Sequence, residues 1–292
     1  MKNISLVFQV AILSICTCCA QVNGKQINPV LLDTPDFNGM CLSKTNIQIS
    51  LKQVSKVANG ITDTDVWMSK YMPERFSTQY TFTPGGNKAS EELKSKVAIT
   101  YEGKYRRCID LHDRYNVIYY GDRIDEYGDF GVDPTLVVVT GQDVSDVLYA
   151  YDFSNFSVSQ YSKPDELEYT KISVSDVTIE DNTLYANVCH PTYSSSSSGY
   201  NAYLVAVDME SQKIKWVTKP LTCNANYYID EEVIFTGYGF TNEDDYIYVI
   251  DKASGTRLQI VKIEKGPEYF AVKDGKLYVR TYNLDYVFQI VR

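Results

Sequence analysis

The residues equipped for chemistry are few and scattered. Two acidic runs, Thr62-Asp63-Thr64-Asp65 and Asp125–Asp133, carry oxygens of the kind a calcium ion takes. Neither has the Asp-x-Asp-x-Asp-Gly order of a calcium loop, so solvated acidic turns are the plainer reading. The two histidines, His112 and His190, stand far apart in sequence and read as turn or surface residues rather than halves of a base or metal pair. Gly237-Tyr238-Gly239-Phe240-Thr241-Asn242 begins like a dinucleotide-binding fingerprint, but it lacks the third glycine and no helical pattern follows it. A Gly-x-Ser-x-Gly nucleophile elbow and a phosphate-binding Walker loop are both absent from the sequence. No catalytic, cofactor or metal site is therefore predicted, and the chain reads as a non-enzyme.

Cysteine usage and the N-terminus point to export. Lys2 followed by the apolar run Ile4–Ile15 and the small residue Ala20 forms a secretory signal over residues 1–20. Leu13-Ser14-Ile15-Cys16 also approximates a lipid-attachment motif with Cys16 as the anchor, although Ile15 stands where a small residue is usual. The expected location is accordingly periplasmic, cell-surface or secreted. The apolar run is too short to cross a bilayer comfortably, so no transmembrane segment is expected. Cys41, Cys108, Cys189 and Cys223 follow the signal; two disulfides or buried free thiols both fit them, and their spacing suits no zinc site. With 28 basic against 37 acidic residues the net charge is −9, a field that repels phosphate backbones and argues against nucleic-acid partners. Asn155-Phe156-Ser157 is a glycosylation sequon that matters only in a eukaryotic host.

The elements that must position any site are strands. Tyrosine is abundant, at 25 residues against 11 Phe and 2 Trp, and aromatics pack well on a pleated surface. Short runs of Val, Ile, Leu and Tyr alternate with Gly, Asp, Asn and Ser turns. Two anchors recur. Acidic turns at Asp133, Asp181, Asp230 and Asp274 each precede an apolar strand, and further strands end in Asp110, Asp152, Asp208 and Asp251. A shared period of about 40–50 residues means a blade array. Residues 96–292 form the tandem blades and residues 21–95 an N-terminal segment. The last unit stops one strand short, and the alternating stretch at about 47–54 is placed to complete it and cover the open edge. The fold class is thus all-β, a β-propeller of four-stranded blades. Five units are recognisable, and residues 58–95 hold either a sixth or an irregular lead-in.

Ala206-Val207-Asp208-Met209-Glu210-Ser211-Gln212-Lys213-Ile214-Lys215-Trp216 resembles the repeat of quinoprotein (pyrroloquinoline-quinone) propellers, and Asp251-Lys252-Ala253-Ser254-Gly255 repeats its turn. Gln212 departs from the usual glycine, and Gln160 and Gln259 occupy the other tryptophan positions. In the motif, Asp fixes the turn, glycine supplies a left-handed conformation and Trp216 wedges between blades. The family's enzymes hold a quinone and calcium, often against a disulfide between adjacent cysteines. The one adjacent pair here, Cys18-Cys19, falls inside the signal, which disfavours quinone chemistry. The resemblance extends to the family's non-enzymatic branch, which includes the propeller lipoprotein of outer-membrane protein assembly, and it implies a binding or scaffold role at the cell envelope. The predicted contact face collects loops between second and third strands together with the blade-to-blade connections. It carries Tyr193, Tyr200, Tyr238, Phe240, Asp244, Asp245 and Tyr282 toward a protein or glycan partner. An enzyme or carbohydrate-binding propeller with a dispersed central site is the alternative.

Overall fold

The computed structural model describes residues 27–37, 46–72, 95–112, 114–122 and 134–292. The signal segment, Cys16, Cys41, Asp133 and the acidic run before it lie outside them.

The central strands of the sheets are short apolar runs because they are covered on both faces. The first sheet joins β1 (Val30–Leu31), β3 (Thr100–Tyr101), β4 (Lys104–Leu111), β5 (Asn116–Gly121), β6 (Leu136–Thr140) and β7 (Val147–Asp152) in the order β1-β7-β6-β5-β4-β3. The second is an antiparallel meander of β8 (Ser173–Glu180), β9 (Thr183–Cys189), β10 (Tyr203–Asp208) and β11 (Lys213–Val217). The third repeats that order with β12 (Tyr228–Ile229), β13 (Val233–Tyr238), β14 (Asp245–Asp251) and β15 (Arg257–Ile263). Central strands β5, β6 and β13 are buried at every position. Outer strand β11 shows the mixed exposure of a strand with solvent on one side. A period-2 polar signal survives only where one face meets water.

The fourth sheet contains β16 (Pro267–Lys273), β17 (Lys276–Thr281), β18 (Leu284–Val291) and, outermost, β2 (Ser50–Ala58) from the other end of the chain. β2 runs antiparallel to β18 from Leu284↔Ala58 to Val291↔Ser50, which places the closing strand where the alternating sequence put it, a few residues later. The outward edge of β2 is also used. Leu51 N–H donates to Gln259 Oε1 at 2.6 Å, and Gln259 Nε2 donates to the Leu51 carbonyl at 3.2 Å. A glutamine at a degenerate tryptophan position thus clasps the closing strand to the third sheet.

Adjacent sheets share apolar cores. Val117, Tyr119 and Val137 meet Val177, Leu184 and Ala186 between the first and second. Leu204, Ala206 and Trp216 meet Ile234, Tyr248 and Ile250 between the second and third. Phe235 and Val249 meet Phe270, Val279, Phe288 and Leu51 between the third and fourth. A helix, α1 (Thr64–Tyr71), lays Trp67 and Met68 against the far face of the fourth sheet. The Asp63 carboxylate caps its first turn, accepting from Asp65 N–H at 2.8 Å and Val66 N–H at 3.3 Å. The Thr62–Asp65 acidic run is therefore a helix start.

The strands of residues 100–152 join in one six-stranded sheet with β1, and the described residues carry four sheets. Asp110 is corrected as a turn aspartate: it lies within β4, paired across to Val117, and its Oδ2 sits 3.3 Å from His112 Nε2. The other repeat aspartates hold turns. Asp152 accepts from Ser154 N–H at 2.9 Å, Asp208 from Ser211 N–H at 2.7 Å, and Asp251 from Ala253 N–H at 2.9 Å. Gln212 takes the glycine slot of the Asp208 turn with φ +57°, and Gly255 its equivalent with φ +72°. Trp216 lies over Gly255 and donates its indole N–H to the Lys252 carbonyl at 3.2 Å, so the motif of one sheet locks onto the turn of the next.

Candidate functional site

The connections between sheets and the loops after second strands converge on a cavity of about 1170 Å³. Its walls come from α1, the start of β8, the end of β9, the lead into β12, and the β13–β14, β15–β16 and β17–β18 links.

Small residues make the wall tight. A side chain at Gly239 would strike Gly266 and the Asp245 carboxylate, and one at Gly237 would strike Pro267. The Gly237-x-Gly239 pair that resembles half a nucleotide fingerprint is thus clearance for the link into the fourth sheet. Asn224 fixes the same loop, donating from Nδ2 to the Gly239 carbonyl at 2.8 Å and accepting from Gly239 N–H at 3.2 Å.

Charge on the walls is mixed. Burial raises the Asp245 carboxyl above its ordinary value, while Lys265 pulls it down. Glu268 is raised in the same way and countered by Arg280. Glu268 and Asp65 in turn push up the half-buried Tyr269 phenol, after burial itself, which places these three groups together. Arg280 brings Asp65 there: its Nη2 donates to the Ile61 carbonyl at 2.9 Å and its guanidinium sits 5.9 Å from the Trp67 ring centre, fixing the start of α1. The amides of Asn226, Asn242 and Asn283 complete the polar lining.

At the cavity margin the β17–β18 turn presents Tyr282, 83% exposed. Its backbone is held from beneath. Asn59 Nδ2 donates to the Thr281 and Tyr282 carbonyls at 3.1 and 3.2 Å, and Asn59 N–H to the Asn283 carbonyl at 3.1 Å. A fixed backbone carrying an exposed phenol ring offers contact area at small entropic cost.

The predicted face divides into three groups. Phe240, Asp245 and Tyr282 line the cavity. Tyr193 and Tyr238 belong to a latch between the second and third sheets. Tyr193 meets Phe240 edge-on at 5.0 Å, and Ser194 donates from N–H and Oγ to Glu243 Oε1, each at 2.8 Å. The Tyr238 hydroxyl donates to the other oxygen of Glu243. Tyr238 is 2% exposed, so it supports this surface and is corrected as a contact residue. Tyr200 stacks on Tyr161 at 3.9 Å beside Phe37, holding the N-terminal segment instead of facing outward. Asp244 pairs with Lys262 at 2.7 Å. The lining residues missing from the expectation, Asp65, Glu268, Lys265 and the asparagines, come from separate segments and form no local pattern.

His190 is among the residues lining the cavity and is buried, which corrects its expected place as a turn or surface residue. His190 is 2% exposed with Nε2 2.7 Å from Ser197 Oγ, and burial pushes its ring down to about 4. His112 stacks on Tyr115 at 4.5 Å. Cys108 and Cys223 are free thiols, both pushed well up by burial. Asn155 Nδ2, the atom of the glycosylation sequon, donates to the Leu32 carbonyl at 2.6 Å. Among the described residues no group of three or more His, Cys, Asp or Glu is placed to hold a metal, and no helix is long and apolar enough to cross a membrane.

No family model and no curated protein sequence matches the chain. Solved structures similar to it include BamB from Moraxella catarrhalis, at 10% identity over 62% of this chain and 57% of that one, TM-score 0.34. Sqt1 from Saccharomyces cerevisiae matches at 10% identity over 70% and 50%, TM-score 0.42. The quinohemoprotein alcohol dehydrogenase ADHIIG from Pseudomonas putida matches at 12% identity over 59% and 27%, TM-score 0.37. The chain thus spans between 27% and 57% of the length of these three, and likeness at this distance assigns no role. By its own sheets and repeat turns the chain is an all-β protein with the blade-like antiparallel sheets of a propeller.

Proposed function

We propose that this chain is an exported, non-enzymatic binding module of the cell envelope, whose seat for a partner is the cavity at the loop end of the second, third and fourth sheets. The observation that carries the reading is the Tyr282–Asn283 turn: an aromatic 83% exposed, on a backbone pinned by Asn59, at the margin of a cavity with polar walls. Exposed aromatics on rigid supports beside satisfied polar groups are the usual anchors of recognition surfaces.

The test is co-purification from producing cells of the full chain and of a Tyr282→Ala, Asn283→Ala double variant. Bound material is quantified as protein by mass spectrometry and as glycan by monosaccharide release. The expected result is bound material on the natural chain and at least a tenfold loss on the variant, with unchanged thermal unfolding. Equal retention by both chains refutes the assignment of the seat.

A further inference from the structure

We infer that the occupant of the cavity is a neutral glycan chain of several sugar units, an inference that rests on the binding reading above and names its ligand class. The first support is the pairing of donors and acceptors along the walls. A sugar hydroxyl both donates and accepts, so its site needs both kinds of group side by side. Here the amides of Asn226, Asn242 and Asn283 donate and accept, while Asp65, Asp245 and Glu268 supply strong acceptors. Hydrogen bonds to ionised acceptors are about twice as strong as neutral ones.

The second support is the sign of the charge. The lining carries Asp65, Asp245 and Glu268 against Lys265, and Arg280 pairs with Asp285 at 3.6 Å. This excess of carboxylates opposes an anionic ligand, whereas neutral hydroxyls donate to carboxylates without adding charge.

The third is the ring at the mouth. Tyr282 stands 83% exposed, next in sequence to Asn283, and both line the cavity. The C–H face of a pyranose packs on such a ring while its hydroxyls turn to the amide, dividing the ligand's apolar and polar sides as the protein divides its own. Size agrees with an extended ligand. A volume of about 1170 Å³ exceeds the range of about 300–1,000 Å³ that suits a single drug-sized molecule.

The experiment is saturation-transfer NMR and calorimetric titration of the full chain. The probes are neutral tri- to pentasaccharides of glucose, galactose, mannose and N-acetylglucosamine, with a lysine-rich and a neutral decapeptide as comparators. The expected result is saturation transfer to at least one oligosaccharide with sub-millimolar affinity, weakened at least tenfold by Tyr282→Phe combined with Asn283→Ala or by Tyr282→Ala. Tyr169→Ala, an exposed tyrosine outside the cavity, leaves that affinity unchanged. Two results overturn the glycan inference: no oligosaccharide bound below millimolar concentration, or binding that Tyr282→Ala and Tyr169→Ala weaken alike. Binding of a decapeptide in a Tyr282-dependent manner, with no sugar bound, also overturns it but leaves the cavity as the seat.

Discussion

The contact between Trp216 and Gly255 lends itself to a quantitative test because the chain contains its own controls. Gly255 has φ +72°, and a Cβ there would lie 2.6 and 2.8 Å from Trp216 ring atoms. Gly255→Ala therefore carries two penalties. The left-handed conformation costs a non-glycine residue about 1 kcal/mol. Displacing a packed indole and weakening its bond to the Lys252 carbonyl adds about 2 kcal/mol. The sum is about 3 kcal/mol, or a fall of about 1 M in the urea midpoint at a typical slope of about 2–3 kcal/mol/M. Gly103 and Gly275 have φ +76° and +69°, but a Cβ at the first meets nothing within 4 Å and at the second only Gln289 Nε2 at 3.8 Å. Their alanine variants pay the conformational term alone, about 1 kcal/mol. In a Trp216→Leu background the Gly255→Ala cost shrinks toward the same value, since the clash is gone. Equal costs at the three glycines, or a Gly255 penalty that persists without Trp216, would refute the lock between the second and third sheets.

Other consequences follow from the same geometry. Gln259→Leu leaves the Leu51 N–H and carbonyl without their clasp and costs about 1–3 kcal/mol, seen as faster hydrogen exchange over residues 50–58; unchanged exchange there would remove the clasp. Glu243→Ala frees the Ser194 turn and the Tyr238 hydroxyl, and limited proteolysis is expected to cut within 194–198 where the natural chain resists. His190 titrates near 6.5 in the unfolded chain and at about 4 in the folded one, because burial disfavours the charged ring, with Glu243 as the charged group acting on it. Its effect on stability is absent above pH 6.5. As pH falls to about 4 the unfolded state gains the proton first, removing up to about 3 kcal/mol. Urea midpoints measured through that window should flatten in His190→Gln; an identical slope in the variant would contradict the assignment.

The strands were legible because covered β-runs leave a strong apolar signature, and the closing strand because a terminal blade one strand short demands a partner. The number of sheets was not. Residues 116–121 and 136–140 read as apolar strands whether they belong to two blades or one, and Asp110 looks like a turn aspartate until its neighbours are paired. Tyr238 was indistinguishable from Tyr282 for a related reason. In a sheet buried on both faces the alternation that separates inward from outward residues disappears. The cavity was illegible in principle: Asp65 and Glu268 are about two hundred residues apart, and only the fold brings them into one lining with Tyr269.

The central claim is that partners seat at the Tyr282 end of the molecule. A benzophenone amino acid placed at position 282, and in parallel at position 260 on the outer strand β15, reports this directly, because its photoinsertion captures protein or glycan alike. Ile260 is 56% exposed and lies away from the cavity walls, so both probes are accessible. Irradiation of producing cells is expected to yield a discrete adduct from position 282 and none from position 260. Adducts from both positions in equal amount, or from 260 alone, would contradict the account.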